Sequence, residues 1–364
     1  MAGIGVRYAG PMRQLKHACV ALVVALIAGM QGCASAPAGP PESMVRQDRL
    51  MRSLAALPVK RAARGDVEDQ KGLIATEDLI IRELRSMGYT PEVQALSWNL
   101  KSQAEAEQRV GAMDRRGAKE TTPELAAHVW HNIIVEIKGQ ELPGEVLILS
   151  AHFDAVPGAP GADDDGTGTA GLLEVARVLH GRQLKRTVRL IFFNLEEIGL
   201  KGSAEYVRSY RAAGAAGLRE HLIGMVSLEM LGFFSDAPSS QRSPIPKIEG
   251  VFDPPTVGDF IGLGTIKAYA PFCERFDAEM RKAAPGLKTA VVDFPPISPP
   301  DFMRSDHAPF MLAGFPGVML TDTSNFRNPN YHKPTDVIGT IDAERFALVV
   351  KGVAGAAGAI ANGP

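Results

Sequence analysis

The stretch SAHFDAVPGAPGADDDGTG occupies residues 150–168, and the rest of the chain is organised around it. It begins at the end of an apolar run, residues 146–149, that predicts a buried strand, and it leads into an apolar segment, residues 169–179, that predicts a helix. Between the two lie His152, Asp154, a loop of prolines and glycines, and three consecutive aspartates. Open α/β sheets bind ligands at the carboxyl ends of their strands. A histidine and a cluster of carboxylates at such a strand end predict a hydrolytic metal site.

Length and composition are those of an ordinary globular enzyme. The chain has 364 residues, of which 45% are hydrophobic and 22% are charged, and its formal net charge is −2. A nearly neutral chain lacks the basic stripe that nucleic-acid binding requires, so no nucleic-acid partner is expected. Of the three cysteines, Cys273 lies far from the other two along the chain, and we interpret it as a small buried residue and not as a nucleophile.

The first 36 residues predict a secretory signal. A basic start precedes an apolar region, residues 18–30, that is too short to span a bilayer comfortably. Two processing routes stay open after it. Gly32-Cys33 resembles a bacterial lipobox, in which Cys33 carries the lipid, and Ala34-Ser35-Ala36 offers an alternative cleavage site. We favour the lipoprotein route.

This N-terminus predicts an exported protein, either a bacterial outer-membrane lipoprotein or a periplasmic or secreted protein. A lipid on Cys33 would be its contact with the membrane. Residues 37–42 are then a tether, and residues 43–364 form one catalytic domain with a helical region at its start.

Apolar strands alternate with amphipathic helices through this domain. The predicted strands are 89–98, 130–138, 145–151, 187–193, 222–228 and 316–320, and the predicted helices are 43–56, 71–87, 169–179, 202–212, 270–284 and 342–360. The alternation predicts an α/β fold, a three-layer sandwich whose central sheet is mixed but mostly parallel, with helices on both faces. Residues 101–125 are interpreted as an exposed connection. Two proline-rich segments, 235–258 and 291–300, are interpreted as late loop insertions that wall the site.

Polar side chains follow three further strands at the same structural position as His152. Glu196 and Glu197 follow the strand 187–193, Glu229 follows the strand 222–228, and His332 comes after the last strand. Because the carboxyl ends of parallel strands share one edge, we expect these side chains to meet. Histidines and carboxylates suit zinc. A pair of metals requires a bridging carboxylate, which the aspartate run provides, and one of the two adjacent glutamates can serve as general base.

Six short motifs along the chain carry a family resemblance. In order they are AHFD, GADDDGTG, NLEE, SLEMLG, SDH and NYHKPTD. This order resembles the co-catalytic zinc aminopeptidases of peptidase clan MH, whose relatives include glutamate carboxypeptidase II and the glutaminyl cyclases. The resemblance covers residues 70–360 and implies a metallo-exopeptidase, above all an aminopeptidase, that binds two Zn²⁺ ions and takes peptide substrates.

The resemblance also implies a role for each matching residue. His152 and Glu229 would bind the first zinc, His332 and Glu197 the second, and Asp164 would bridge the two. Glu196 would be the general base, Asp154 would orient His152 through its other ring nitrogen, and Tyr331 resembles the tyrosine that steadies the tetrahedral intermediate in some members. Glu229 departs from the aspartate that many members have. Asp163 and Asp165 are expected to shape the loop and cap the helix.

Several alternatives stay open. The same scaffold supports carboxypeptidases, dipeptidases, other amidohydrolases and glutaminyl cyclases, although the cyclases typically use one zinc and an intact bridge disfavours them. A receptor-like homologue without metal is disfavoured because no ligand is missing. Ser305-Asp306-His307 cannot form a triad as sequence neighbours, so we expect these residues to support the site or face the substrate. Arg304 either pairs with a substrate carboxylate or has a surface role.

Overall fold

The central apolar strands form one sheet in this computed structural model, which describes residues 39–104, 121–247, 249, 253–294 and 300–363. The strands are β1 Glu92–Ala95, β2 His131–Ile137, β3 Leu142–His152, β4 Arg186–Phe193, β5 His221–Glu229, β6 Ile261–Ile266, β7 Thr289–Phe294 and β8 Gly317–Thr321. Their order in the sheet is β1-β2-β4-β3-β5-β8-β6-β7. The four central neighbours, β4, β3, β5 and β8, are parallel, whereas β1, β2 and β6 add antiparallel pairs. The predicted mixed, mostly parallel sheet is therefore confirmed.

Helices cover both faces of the sheet. They are α1 Gln47–Ala56, α2 Val67–Ser86, α3 Pro123–Ala126, α4 Gly168–Leu179, α5 Lys201–Ala215, α6 Ala270–Ala283, α7 His307–Leu312 and α8 Ala343–Asn362. Successive strand residues point to opposite faces. Leu147 and Leu149 of β3 accordingly join a hydrophobic cluster with α1, α2, α4, α6 and α8. Val146 and Ile148 join a second cluster with α5 and α7. The layers are thus helix, sheet and helix, as the sequence predicted.

Capping residues fix where two of the longer helices begin. The Asp66 carboxylate accepts from the Asp69 backbone N–H, and the Asp69 side chain accepts from the Asp66 N–H, so α2 begins with a capping box. Asp342 accepts from the Arg345 N–H at the start of α8. None of the described helices is both long and apolar enough to cross a bilayer.

Two strands and two short helices were not predicted, and some boundaries differ. Strands β6 and β7 and helices α3 and α7 were missed; α3 lies across the end of the predicted connection 101–125, and the segment interpreted as the loop 291–300 begins inside β7. Strand β1 has four residues, fewer than the predicted 89–98. Most of the connection predicted for 101–125 lies outside the described residues, as does the predicted signal.

The first described residues continue into the folded region without a break. Pro41–Met44 forms a 3-10 helix, so ordered structure begins within the predicted tether. The domain boundaries proposed from the sequence otherwise stay predictions.

Candidate active site

The carboxyl ends of the four central parallel strands lie at one edge of the sheet. His152 is the last residue of β3 and pairs with Phe193 at the end of β4. Glu229 is the last residue of β5 and pairs with Thr321 at the end of β8. Parallel strands in register end together, so the loops that leave them bring their polar side chains to a common place.

Two histidines face opposite oxygens of one carboxylate at this edge. His152 Nε2 lies 3.3 Å from Asp164 Oδ1, and His332 Nε2 lies 3.1 Å from Asp164 Oδ2. His152 Nε2 also lies 3.7 Å from Glu229 Oε2, and His332 Nε2 lies 3.2 Å from Glu197 Oε2. The five residues predicted as metal ligands therefore meet, with Asp164 between the two histidines.

Three ligand atoms of this cluster have no hydrogen-bond partner. His152 Nε2, Asp164 Oδ2 and Glu197 Oε1 are buried and make no hydrogen bond. Buried polar atoms in folded proteins nearly always have a partner. Ligand atoms of Asp164, Glu197 and His332 lie within 4.8 Å of one another, and so do those of His152, Glu196 and Glu197. These distances and donor types fit divalent cations such as zinc.

The pKa values of the cluster indicate a shortage of positive charge. Burial lowers the pKa of His152, but the charges of Glu196 and Glu229, followed by the adjacent aspartate carboxylates, raise it well above its usual value. Burial also lowers the pKa of His332, yet the adjacent carboxylates of Asp164 and Glu197 raise it to about 10. Burial and the charge of Asp164 raise the pKa of Glu197 to about 7. His152, His332 and Glu197 thus hold protons more strongly than the free groups do, and a bound cation would supply the positive charge that those protons provide.

Glu196, which the family resemblance predicts to be the general base and not a ligand, lies beside the predicted ligands. Its Oε2 is 4.0 Å from His152 Nε2, and it lines the same pocket as Glu197 and Glu229. Burial, followed by the charges of neighbouring glutamates, raises the pKa of Glu196 well above its usual value. The carboxylate therefore lies beside the predicted metal ligands and lines the adjoining pocket.

Asp154 contacts both the second ring nitrogen of His152 and the backbone of the two glutamates. His152 Nδ1 is 3.2 Å from the Asp154 backbone oxygen and 3.5 Å from its carboxylate, so the backbone carbonyl is the nearer partner. The carboxylate instead accepts from the backbone N–H groups of Glu196 at 3.0 Å and Glu197 at 3.2 Å. Asp154 therefore fixes the backbone that carries the two glutamates, and its carbonyl orients the histidine.

The two other aspartates of the run shape the loop, as expected. Asp165 accepts from the backbone N–H groups of His152, Gly168 and Met230 at 3.0–3.1 Å. Asp163 accepts from the Gly232 N–H at 2.9 Å. The Asp163 carboxylate also accepts from the side chain of Asn328 at 2.7 Å. Both carboxylates are therefore hydrogen-bonded within the loop region, which leaves Asp164 as the member of the run that faces the two histidines.

Asp336 is a supporting residue to which no role was assigned from the sequence. Its two carboxylate oxygens accept from the backbone N–H groups of Asp163 at 3.0 Å and Asp164 at 3.1 Å. Its presence at the end of the motif NYHKPTD is the one signal in the sequence that pointed to it.

Ser305 holds a predicted metal ligand. Its hydroxyl donates to Glu229 Oε2 at 2.6 Å, which confirms a supporting role for the motif Ser305-Asp306-His307. Asp306 and His307 are fully buried, and burial lowers the pKa of His307 to about 3, so Ser305, Asp306 and His307 do not form a catalytic triad. Cys273 is buried and free, as predicted.

A pocket of about 490 Å³ opens directly beside the cluster. Its apolar walls include Phe260, Leu263, Val292, Phe294, Phe302 and Met319. Parts of both predicted wall segments line it, and β6 and β8 contribute further residues that the sequence did not indicate.

Tyr331 and Arg304 lie at the polar end of this pocket. Arg304 Nη2 donates to Tyr331 Oη at 2.6 Å, and Nη1 donates to Asp301 at 3.1 Å. The Tyr331 ring stacks on His332, with 3.8 Å between ring centroids. Arg304 thus contacts Tyr331, whose ring adjoins a predicted ligand.

Comparison with known proteins adds a family and a fold. Residues 132–357 match the model of Peptidase family M28. Uncharacterized protein YfbL of Escherichia coli (strain K12) is 33% identical over 223 residues, which are 58% of this chain and 65% of YfbL. Probable lipoprotein aminopeptidase LpqL of Mycobacterium tuberculosis (strain ATCC 25618 / H37Rv) is 27% identical over 277 residues, which are 70% of this chain and 51% of LpqL. The chain therefore covers less than two thirds of either relative's own length.

A solved structure shares the fold at low identity. BSAP, a zinc aminopeptidase from Bacillus subtilis, superposes with a TM-score of 0.61 at 17% identity, covering 88% of this chain and 96% of BSAP. This likeness supports the α/β sandwich and the sheet described above.

Proposed function

The chain belongs to peptidase family M28 of clan MH, and on that premise we propose that it is a zinc-dependent aminopeptidase. One observation carries the proposal. The two oxygens of Asp164 face His152 and His332 separately, which is the arrangement that a carboxylate bridging two metals requires. The apolar pocket beside that carboxylate gives a substrate side chain a place to bind.

We assign the residues that would hold two zinc ions around that carboxylate. His152 and Glu229 would hold one ion, His332 and Glu197 would hold the other, and Asp164 would serve both. When bound, zinc polarises the scissile carbonyl and lowers the pKa of the attacking water. Asp154 and Ser305 keep the ligands in place through their hydrogen bonds to the backbone of Glu197 and to the Glu229 carboxylate.

Glu196 acts as the general base in this proposal. It takes a proton from the attacking water and returns a proton to the leaving amine, so the peptide bond is broken without a covalent intermediate. Its carboxylate lines the pocket next to the ligands, within reach of a water there.

Tyr331 donates a hydrogen bond to the developing oxyanion. Because Arg304 donates to the Tyr331 oxygen, the hydroxyl proton is free to point toward the substrate. A donor that is held before the reaction stabilises the oxyanion without reorganisation in the transition state.

A panel of substrates with free and blocked N-termini tests the proposal. We expect cleavage of aminoacyl-anilides with apolar side chains, because the pocket is apolar, and no cleavage of the same compounds after N-acetylation. A chelator should abolish the activity and added zinc should restore it. The release of the anilide chromophore measures both. Cleavage of blocked but not free substrates would overturn the aminopeptidase assignment.

We further propose that the protein is exported and carries a lipid on Cys33. The motif Gly32-Cys33 and the apolar region before it support export, and the relative LpqL is named a probable lipoprotein aminopeptidase.

Replacing Cys33 with Ser should prevent lipid attachment and release the protein from the membrane fraction of a bacterial host. Incorporation of labelled fatty acid and cell fractionation measure the two effects. Cys273→Ser is the matched control and should keep the lipid, because Cys273 is buried in the fold. A wild-type mature protein that begins at Pro37 without lipid would contradict the proposal.

A further inference from the structure

A buried arginine lies directly behind the loop that carries Asp164. Arg61 belongs to the segment between α1 and α2, and it lies outside residues 132–357, the part matched to the peptidase family. Only 2% of its surface is exposed. A fully buried guanidinium is costly unless its N–H groups and its charge are compensated, so its surroundings indicate what it does.

The guanidinium donates to backbone carbonyls at both ends of the loop between His152 and Asp164. It donates to Phe153 O at 2.9 Å, to Pro160 O at 2.5 Å and to Gly161 O. The Arg61 carbonyl also accepts from the Ala155 N–H at 3.0 Å. One residue therefore fixes the chain next to His152 and, at the far end of the loop, the chain that leads to Asp164.

The loop packs against this side chain without spare room. Gly161 has a φ of +62°, and a Cβ there would lie 2.8 Å from Arg61 Nη2 and 2.4 Å from the Asp164 backbone oxygen. These approaches are closer than carbon contacts allow. The position of Gly161 between the guanidinium and the Asp164 backbone therefore has no room for a side chain.

The charge of Arg61 acts on the acids of the site. Burial lowers its pKa, whereas the charges of Asp336, Asp164, Asp154 and Asp165 raise it. An arginine stays protonated in proteins, so the positive charge lies close to several buried carboxylates. It offsets part of their mutual repulsion even without bound metal.

We propose that Arg61 is a positioning residue for the metal centre, which holds the loop from Phe153 to Gly161 in its metal-binding form before any metal is bound. The inference rests on the metal site of the proposed function. The segment between α1 and α2, which lies outside residues 132–357, would then be part of that site. The geometry further implies that Lys cannot replace Arg61, because one ammonium group does not reach carbonyls at both ends of the loop.

Zinc affinity of the metal-free full-length protein tests this proposal. In Arg61→Lys and Arg61→Gln, we expect zinc to bind about 10–100-fold more weakly, which is the usual effect of removing a group that orients metal ligands. Competition with a chelating fluorophore measures the dissociation constant, and the Tm of each metal-free variant reports its stability.

Arg49→Lys is the matched control. Arg49 lies in α1 and ties it to Glu174 of α4 through a 2.5 Å ion pair, without contact to the metal loop. We expect this variant to lower the Tm but to keep wild-type zinc affinity. Wild-type zinc affinity in the Arg61 variants, or an equal loss in Arg49→Lys, would overturn the proposal.

A second measurement needs no variant. The amides of Ala155 and Ala159 are hydrogen-bonded in the loop, and those of Ala162 and Asp163 are hydrogen-bonded directly after it, so hydrogen exchange of the metal-free wild type should show all four protected. Free exchange of all four without metal would rule out a preformed loop. Tight zinc binding without peptide cleavage would refute the proposed function and leave this inference standing.

Discussion

Replacing Glu196 with Gln is expected to lower kcat by about 10²–10⁴-fold, the contribution that a general base makes. Glutamine has the same shape and accepts hydrogen bonds, but it cannot take a proton from water. Glu196 is not assigned as a ligand, and its backbone N–H bond to Asp154 does not depend on its side chain. KM and zinc content should therefore stay close to the wild-type values. Steady-state kinetics on an aminoacyl-anilide and elemental analysis of zinc measure these quantities.

Two comparisons make this result specific. Glu197→Gln alters an assigned ligand and should reduce zinc content, whereas Glu196→Gln, at the adjacent residue, should not. Tyr331→Phe removes one hydroxyl, keeps the ring stacked on His332 and should lower kcat by about 10²-fold, the effect of losing one oxyanion donor. Full turnover by Glu196→Gln would show that another group is the base.

The second large effect is expected for Asp164→Asn. An amide has one oxygen and one nitrogen, so it cannot offer carboxylate oxygens to both histidine-bound metals. We expect the purified variant to hold fewer than two zinc ions per chain. Its kcat/KM should fall by about 10³-fold or more, since metal stabilisation of the transition state is worth several kcal/mol and each 1.36 kcal/mol is tenfold in rate.

Zinc stoichiometry after dialysis separates this prediction from general damage. Asp301→Asn is the matched control, because Asp301 lines the same pocket but lies at its exposed end and contacts Arg304. It should keep two zinc ions and most of the activity. Two tightly held zinc ions in Asp164→Asn would contradict the bridging role, and one zinc in the wild type would contradict the two-metal site itself.

Most of the sheet was predictable because its central strands are continuous apolar runs. Strand β6 was not, since its sequence Ile-Gly-Leu-Gly-Thr-Ile contains two glycines that weaken a strand signal. Pairing with β8 and β7 makes it a strand, because neighbours supply what local propensity lacks. Helix α7 has six residues, too few for a helical period to be visible.

The sequence by itself determined which ligand-type residues would share the site. His152 and Glu229 end parallel strands, and parallel strand ends share one edge, so periodicity was enough to bring them together. Only the tertiary structure decided how each group is used. Asp154 turns its carboxylate to the backbone of Glu196 and Glu197, and Asp336 holds the Asp164 N–H from 172 positions away. Arg61, which lies 100 positions before Gly161 in the chain, donates to the Gly161 carbonyl. Periodicity indicates which face or strand end a residue occupies. It does not indicate which backbone N–H and C=O groups need a side-chain partner, because that is decided only when the loops pack.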